Sequence, residues 1–352
     1  MMLIRPIRSS DLDDLYAMAS SAGSGLTTLP ADTERLAARI ELSERSFAQK
    51  VPIERGNYMF ALEDTEAERM VGVSAIEAQI GIDTVWYNYR VSQCVNSSRE
   101  IGVHTINHTL YLTNDLTGSS EVCSLLLDKN YRTIEGPRRG TNGRLLSKCR
   151  FLFMREFPNL FSDKVIAEMR GYSNAQGQSP FWDALGRKFF HMEFTQADYL
   201  SGSGNKSFVA ELMPKYPIYL AFLPQSARDV VGRVHDNTRP ALEMLKREGF
   251  NHNGLVDIFD AGPIMESFVR NVRAVRESAM RQALISKHPP EEDDSGRYYL
   301  VSNCGMAHFR CVLVAAAAVK FDTVALSDEE ASSLEVSMGD PLRVIPMRYT
   351  EN

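Results

Sequence analysis

Two tryptophans and five cysteines are few for a chain of 352 residues. The cysteines, Cys94, Cys123, Cys149, Cys304 and Cys311, are odd in number, and no Cys-x-x-Cys occurs among them. Cys304 and Cys311 lie close in sequence, but no His or Cys group with zinc-ligand spacing surrounds them. This pattern excludes a disulfide framework, fits buried thiols in a reducing compartment and leads us to expect no metal. Long apolar runs are missing too. The longest, Cys311–Val319, falls far short of the roughly 20 residues that cross a bilayer. The opening MMLIRPIRSSDLDD has no apolar core of signal-peptide length. Nor is there a surplus of positive charge: the net charge of −6 argues against a nucleic-acid partner and confines any anion site to a local feature. Neither GxxxxGKS/T nor GxGxxG occurs, which sets aside a P-loop and a Rossmann dinucleotide site. A cytoplasmic protein without membrane or nucleic-acid partners is the expectation.

What is present is a globular composition, 44% hydrophobic and 24% charged, on a length that suggests two or three domains. MLIRP suggests a short edge strand, and the aspartates after Ser9 and Ser10 suit the first turn of a helix. A second helix is predicted over 31–49. Strands follow at Asn57–Asp64, Met70–Gly81, Thr84–Val95, His108–Asp115 and Ser119–Asp128, the last apolar enough for a central position. Leu145, Leu146, Cys149, Leu152 and Phe153 then mark one face of a helix, with Arg144, Lys148 and Arg155 on its wet side. Lys164–Gly171 reads as a strand. SPFWDALGRKFFHMEF reads as a helix, a glycine stop and a strand, and SFVAELMP as strand-like. Asn237–Phe250 and Leu255–Gly262 give another helix and strand, and the shared layout of helix, glycine, aromatic and strand suggests a partial internal repeat. The class is α/β (α+β), with a long antiparallel meander. Beyond a polar, acidic linker at Ser286–Tyr299 lies a small β-rich C-terminal subdomain.

One stretch points to chemistry. RRGTNGRLL follows the strand ending LLLD and begins the helix. Unpaired N–H groups and the dipole at a helix start favour an anion. Gly140 and Gly143 allow close backbone approach, Arg138 and Arg139 add forked donors, and Thr141 and Asn142 are suitable caps. By spacing alone, an exposed turn with two solvated arginines is an equal reading.

IRPIRSSDLDDL, CSLLLD, RRGTNGRLL and FWDALG together resemble the GNAT-type acyl-CoA N-acyltransferase fold. Gly140 matches the first small residue of that fold's phosphate loop, Asn142 stands where the second would be, and Pro137 takes the usual Gln/Arg position. The resemblance implies that the loop holds the pyrophosphate of coenzyme A and that Leu125, Leu126 and Leu127 pair with its pantetheine arm. A closer resemblance runs to about Arg281. GSGLTTLP, WYNYRV, TGSSEVCSLLLD, NGRLLSKCRFLFM, VIAEMRG, AELMPKYPIY, VHDNTRPALEMLKREGF and DIFDAGP are similar to the arginine N-succinyltransferase family. It implies three units: a GNAT-like acyl-CoA-binding domain over 1–200, a partial second GNAT-like unit over 201–285, and the C-terminal subdomain over 286–352. It also implies transfer of succinyl from succinyl-CoA, as co-substrate with no permanently bound cofactor, to the α-amino group of L-arginine, the first step of arginine catabolism by that route. His235 in VHDNT would be the catalytic proton donor and Leu125 a succinyl-CoA contact. Glu77 and Glu168 are candidate carboxylates for the substrate guanidinium, and Arg90 and Arg170 candidate cations for carboxylates. Ornithine or another amine as acceptor, a non-catalytic CoA or arginine sensor, and homo-oligomerisation are left open.

Overall fold

The computed structural model describes residues 1–22, 28–132, 140–202, 207–288, 290 and 297–348. In chain order the strands are β1 (Met2–Pro6), β2 (Asn57–Asp64), β3 (Arg69–Glu77), β4 (Asn88–Ser98), β5 (Val103–Thr113), β6 (Ser120–Leu127), β7 (Lys164–Glu168), β8 (Ile218–Tyr219), β9 (Asn251–Val256), β10 (Pro263–Phe268), β11 (Ala279–Ile285), β12 (Tyr298–Ser302), β13 (Cys311–Ala315), β14 (Thr323–Leu326) and β15 (Pro341–Pro346). The helices are α1 (Leu12–Ala22), α2 (Thr33–Phe47), α3 (Thr141–Glu156), α4 (Pro180–Ala184), α5 (Gly186–Phe190), α6 (Phe194–Gly202), α7 (Ser207–Leu212), α8 (Gln225–Arg228), α9 (Arg239–Arg247), α10 (Arg273–Glu277) and α11 (Asp328–Leu334).

Among the described residues all strands join one sheet in the order β14-β11-β15-β12-β13-β1-β2-β3-β6-β7-β10-β9-β4-β5-β8. Neighbours are antiparallel except β11–β14 and β6–β7. The C-terminal strands β11–β15 thus extend the sheet past β1, through the β1–β13 pairing at Ile4 and Cys311.

Side chains pin the helices to the sheet. Asp32 caps α2 by accepting from the Arg35 N–H at 3.1 Å. Ser43 and Ser46 of α2 accept from the main-chain N–H groups of Met59 and Asn57 at 2.9 and 3.0 Å. The apolar positions of α3 face the sheet as their spacing predicts. Phe153 sits among Phe47, Tyr58, Phe60, Phe157 and Phe309 with ring centroids 4.8–5.4 Å apart, in edge-on and tilted arrangements.

The wet side predicted for α3 is only partly wet. Arg155 is exposed, but twelve of the sixteen α3 residues are buried, Lys148 and Phe151 among them. The segment after α9 covers the outer face: Phe250 packs on Phe151 at 5.8 Å, and Lys148 Nζ meets Glu248 at 2.9 Å.

Two predicted strands are helices. The strand expected between Gly186 and Phe194 forms α5 instead, with Gly186 and Phe190 buried one turn apart, and Phe194 begins α6, where Phe194 and Ala197 are buried in a cluster with Trp182 and Phe190. Ser207–Leu212 forms α7, whose Val209 joins Met213 in the same cluster. Packing at i, i+3 and i, i+4 outweighs the β preference of Phe and Val in these short segments. The layout of helix, glycine, aromatic and strand is therefore realised at α9, Gly249, Phe250 and β9 but not after α4, where Gly186 begins another helix.

Candidate active site

β6 and β7 pair only at their first residues, Ser120 with Val165 and Glu121 with Ile166. Beyond that point the two parallel strands separate, and no strand pairs with the β7-facing edge of β6 among the described residues. The gap is a cleft of about 1140 Å3, walled by residues 121–127 of β6 and by Ala167, Glu168, Met169 and Arg170. A β-bulge marks β6 at the same level. Val73 pairs with Leu126 and Ala75 with Cys123, so Ser124 and Leu125 together oppose Ser74, and Ser124 has a φ of +55°.

At the open end of the cleft α3 begins. Gly140 is its N-cap in the left-handed region (φ +66°), a conformation that suits glycine, and it gives no side-chain cap. Gly140 and Gly143 both line the cleft, and among the described residues no atom stands within 4 Å of a Cβ built on Gly143. Arg132, Arg144 and Arg247 line the same end. Burial, with Arg348 and Arg247 as like charges nearby, pushes the Arg144 guanidinium below its usual value. Thr141 and Asn142 are buried instead of capping, and Asn142 Nδ2 donates to the Tyr131 carbonyl at 3.2 Å. Arg138 and Arg139 lie outside the described residues.

On the face covered by α1 and α2 the closed end of the cleft carries acids. Glu77 and the buried Glu121 are direct cross-strand partners. Like charges so placed repel, and a cation between them relieves it. Arg39 of α2 supplies a cation to Glu77: its guanidinium lies 3.3 Å from Glu77 and 3.5 Å from Cys123 Sγ, and it also donates to the Thr28 carbonyl. Burial pushes the Cys123 thiol up to about 12, so it is protonated at neutral pH.

The far rim is built where β7 ends. Gly171 bridges to Val234, and the His235 N–H donates to the Arg170 carbonyl at 2.9 Å. The ring Nδ1 of His235 lies 3.2 Å from the Asn237 N–H. A main-chain N–H can only donate, so Nδ1 is the acceptor and a neutral ring carries its proton on Nε2. Burial, followed by the charge of Arg170, pulls the imidazole below its ordinary value, against the opposing pull of Asp236. Below this rim Asp260 accepts from the N–H groups of Gly171 and Gly262 at 2.6 and 2.8 Å. Burial, then the like charge of Asp257, pushes its carboxyl well above the usual range.

The residues singled out from sequence therefore divide. Leu125, Leu126, Leu127, Gly140, Gly143, Glu77, Glu168 and Arg170 line the cleft. His235 stands at its rim, between the lining residues Arg170, Asn237 and Thr238. Arg90 is elsewhere, half-buried on β4 and ion-paired to Asp115 at 2.7 Å. Glu121, Arg39, Arg144, Arg150 and Asp260 line the cleft without having been singled out from sequence. Glu121 sits in a predicted central strand, where a buried acid is unusual, and that was its one signal.

Comparison with known proteins agrees along the whole chain. The family model described as "Arginine N-succinyltransferase beta subunit" matches residues 2–274, and the one for its C-terminal domain matches 281–346. An arginine N-succinyltransferase subunit beta of Pseudomonas aeruginosa is 47% identical over 346 residues, covering 98% of each chain. An arginine N-succinyltransferase of Yersinia pseudotuberculosis is 45% identical over 350 residues, covering 99% of this chain and 98% of its own. The solved structure of an arginine/ornithine succinyltransferase subunit AI from Pseudomonas aeruginosa superposes with a TM-score of 0.88 at 34% identity, covering 99% of both chains. With a split-strand cleft, a glycine-capped helix at its mouth and matches that run from end to end, this chain belongs to the arginine N-succinyltransferase family.

Proposed function

We propose that the protein transfers the succinyl group of succinyl-CoA to the α-amino group of L-arginine, giving N2-succinyl-L-arginine and CoA. The observation that carries this reading is the cleft between β6 and β7, open along one strand edge and floored by the start of α3. The free edge at Leu125–Leu127 suits the amides of a pantetheine arm. The N–H groups after Gly140, with Arg144 and Arg247, suit its phosphates. Glu77 and Glu121 suit a guanidinium or an ammonium on the α1–α2 side.

In this reading most of the rate comes from holding amine and thioester together in the cleft. The neutral amine nitrogen attacks the thioester carbonyl carbon at the level of the Ser124 bulge. The C–S bond breaks as the tetrahedral intermediate collapses. The imidazolium form of His235 gives its Nε2 proton to the leaving thiolate, and the proton that the nitrogen gives up restores the one the ring has lost. The depressed basicity of that ring makes it a ready donor when it carries a second proton. A protonated Cys123 is a poor nucleophile, which favours direct transfer over an acyl-enzyme.

Thiol release from succinyl-CoA with L-arginine, run beside acetyl-CoA and L-ornithine with product masses, tests the proposal. Fast release confined to succinyl-CoA and arginine is expected, and no release with any pair would overturn it. Ornithine is the second acceptor to try, because the superposing solved protein is titled an arginine/ornithine succinyltransferase subunit.

A further inference from the structure

Arg150 lies in the buried middle of α3 and is 2% exposed, yet it lines the cleft. Its Nε donates to the Ser147 carbonyl at 3.2 Å, Nη1 to the Cys123 carbonyl at 3.3 Å and Nη2 to Ser147 Oγ at 3.2 Å. All three acceptors are neutral. A guanidinium has five N–H groups, so one on each terminal nitrogen has no partner among the described residues. No carboxylate among them lies within ion-pair distance of it; Glu121 acts only through space. Burying a cation without a counter-charge is among the costliest arrangements in a fold. The other deeply buried cations of this chain differ in this respect: Arg5 is paired with Asp11, and Lys148 with Glu248.

The position says which anion would complete it. α3 starts at the open end of the cleft and runs back toward the closed end, where Arg150 reaches the Cys123 carbonyl, one residue before the bulge. An acyl-CoA with its phosphates at Gly140 and its arm along Leu127–Leu125 would bring its thioester to the bulge. Its acyl chain would then continue toward Arg150, Ser147 and Ser124.

We infer that Arg150 is the specificity-determining residue for the acyl donor: its guanidinium takes the terminal carboxylate of the succinyl group, with the Ser147 and Ser124 hydroxyls beside it. This rests on the acyl-CoA reading of the cleft. A fork held rigidly by three bonds presents two parallel N–H donors to a carboxylate, and it leaves those donors unsatisfied when the acyl chain is uncharged.

The test compares kcat/KM for succinyl-CoA and butyryl-CoA in the wild type, Arg150→Met, Arg150→Lys and Arg39→Met. The succinyl-to-butyryl ratio is expected to fall about 100-fold in Arg150→Met, to fall less in Arg150→Lys and to hold in Arg39→Met. A ratio kept in Arg150→Met, with both donors slowed alike, would mean that the arginine is structural. A ratio lost in Arg39→Met instead would move the carboxylate to the α2 side. Should Arg150→Met not fold, equilibrium binding to the wild type decides. The carboxypropyl thioether of CoA should bind at least about tenfold tighter than the butyl thioether, since a charged hydrogen-bonded pair forms with only one of them. Equal binding would sink the assignment of Arg150 alone, whereas failure to bind either thioether or CoA would sink the acyl-CoA reading and this inference with it.

Discussion

The main-chain N–H of His235 donates to the carbonyl oxygen of Arg170 at 2.9 Å, joining a segment before α9 to the end of β7. That one bond, with the Gly171–Val234 bridge beside it, brings to the cleft a histidine 65 positions along the chain from its partner. It also sets the ring next to the Arg170 cation that helps keep it neutral.

Replacing His235 by Gln should lower kcat about 100- to 10,000-fold while leaving the affinity for CoA close to wild type. The pH profile carries a second readout. The folded ring holds its proton less tightly than an unfolded one, so its neutral form prevails above a midpoint that lies below pH 6.5. A limb of kcat in that acid range should be present in the wild type and missing in His235→Gln. The same sign applies to folding: the contribution of this group is full above the unfolded value and is lost as pH falls through the folded one. A profile unchanged by the substitution would remove His235 from the reaction.

Gly143 separates binding from stability. It sits in the first turn of α3, where alanine is the better helix former by up to about 1 kcal/mol, and a methyl there meets no atom of the described residues. Gly143→Ala should therefore keep or raise the melting temperature yet raise KM for the acyl-CoA, because the methyl projects where a phosphate would approach. An unchanged KM would place the phosphates elsewhere.

Gly262 shows the opposite case. A Cβ there would stand 2.0 Å from the Met169 carbonyl oxygen and 2.6 Å from the Gly171 nitrogen, both backbone atoms that cannot swing away. Gly262→Ala should cost more than about 2 kcal/mol in urea unfolding. It should also disturb the Asp260 bonds under the cleft rim. A variant as stable as the wild type would contradict the backbone approach described for this turn.

Glu121→Gln should raise KM for L-arginine about 10- to 100-fold, with little change in KM for the acyl donor, since it removes one of two facing carboxylates on the acceptor side. Equal effects on both substrates would assign this residue to the sheet rather than to the substrate.

Breaking the Lys148–Glu248 pair should be costly and mending it should not. Both side chains are below 10% exposed, and Glu248 also accepts from the Ala274 N–H at 2.8 Å. Lys148→Met leaves a buried carboxylate without its cation and should cost about 3–5 kcal/mol in urea unfolding. Lys148→Met with Glu248→Gln should recover much of that loss, and a double variant no better than the single one would mean that the charge is not what matters.

Most of the sheet could be read from the chain. Near-continuous buried runs in β2, β3 and β6 and the 3.6-residue face of α3 each have one dominant way to bury their apolar side chains. α5 and α7 were misread because short segments with Phe and Val satisfy both periods, and only the cluster around Trp182 selects the helical one. Lys148 was placed in water because nothing near it in sequence announces that the Glu248–Phe250 turn will cover it.

By itself the sequence determined the local elements, the glycine-capped start of α3 and, through blocks shared with a family, the chemistry to look for. Only the tertiary structure decided where the cleft lies and what lines it. Strand separation after Glu121 depends on pairing between segments over 40 residues apart. The burial of Arg150 without a counter-ion among the described residues depends on a bulge and a helix that meet only once the sheet has formed. Charge is written in the chain, but the cost of burying it, and so the ligand that would offset that cost, is set by what the fold places around it.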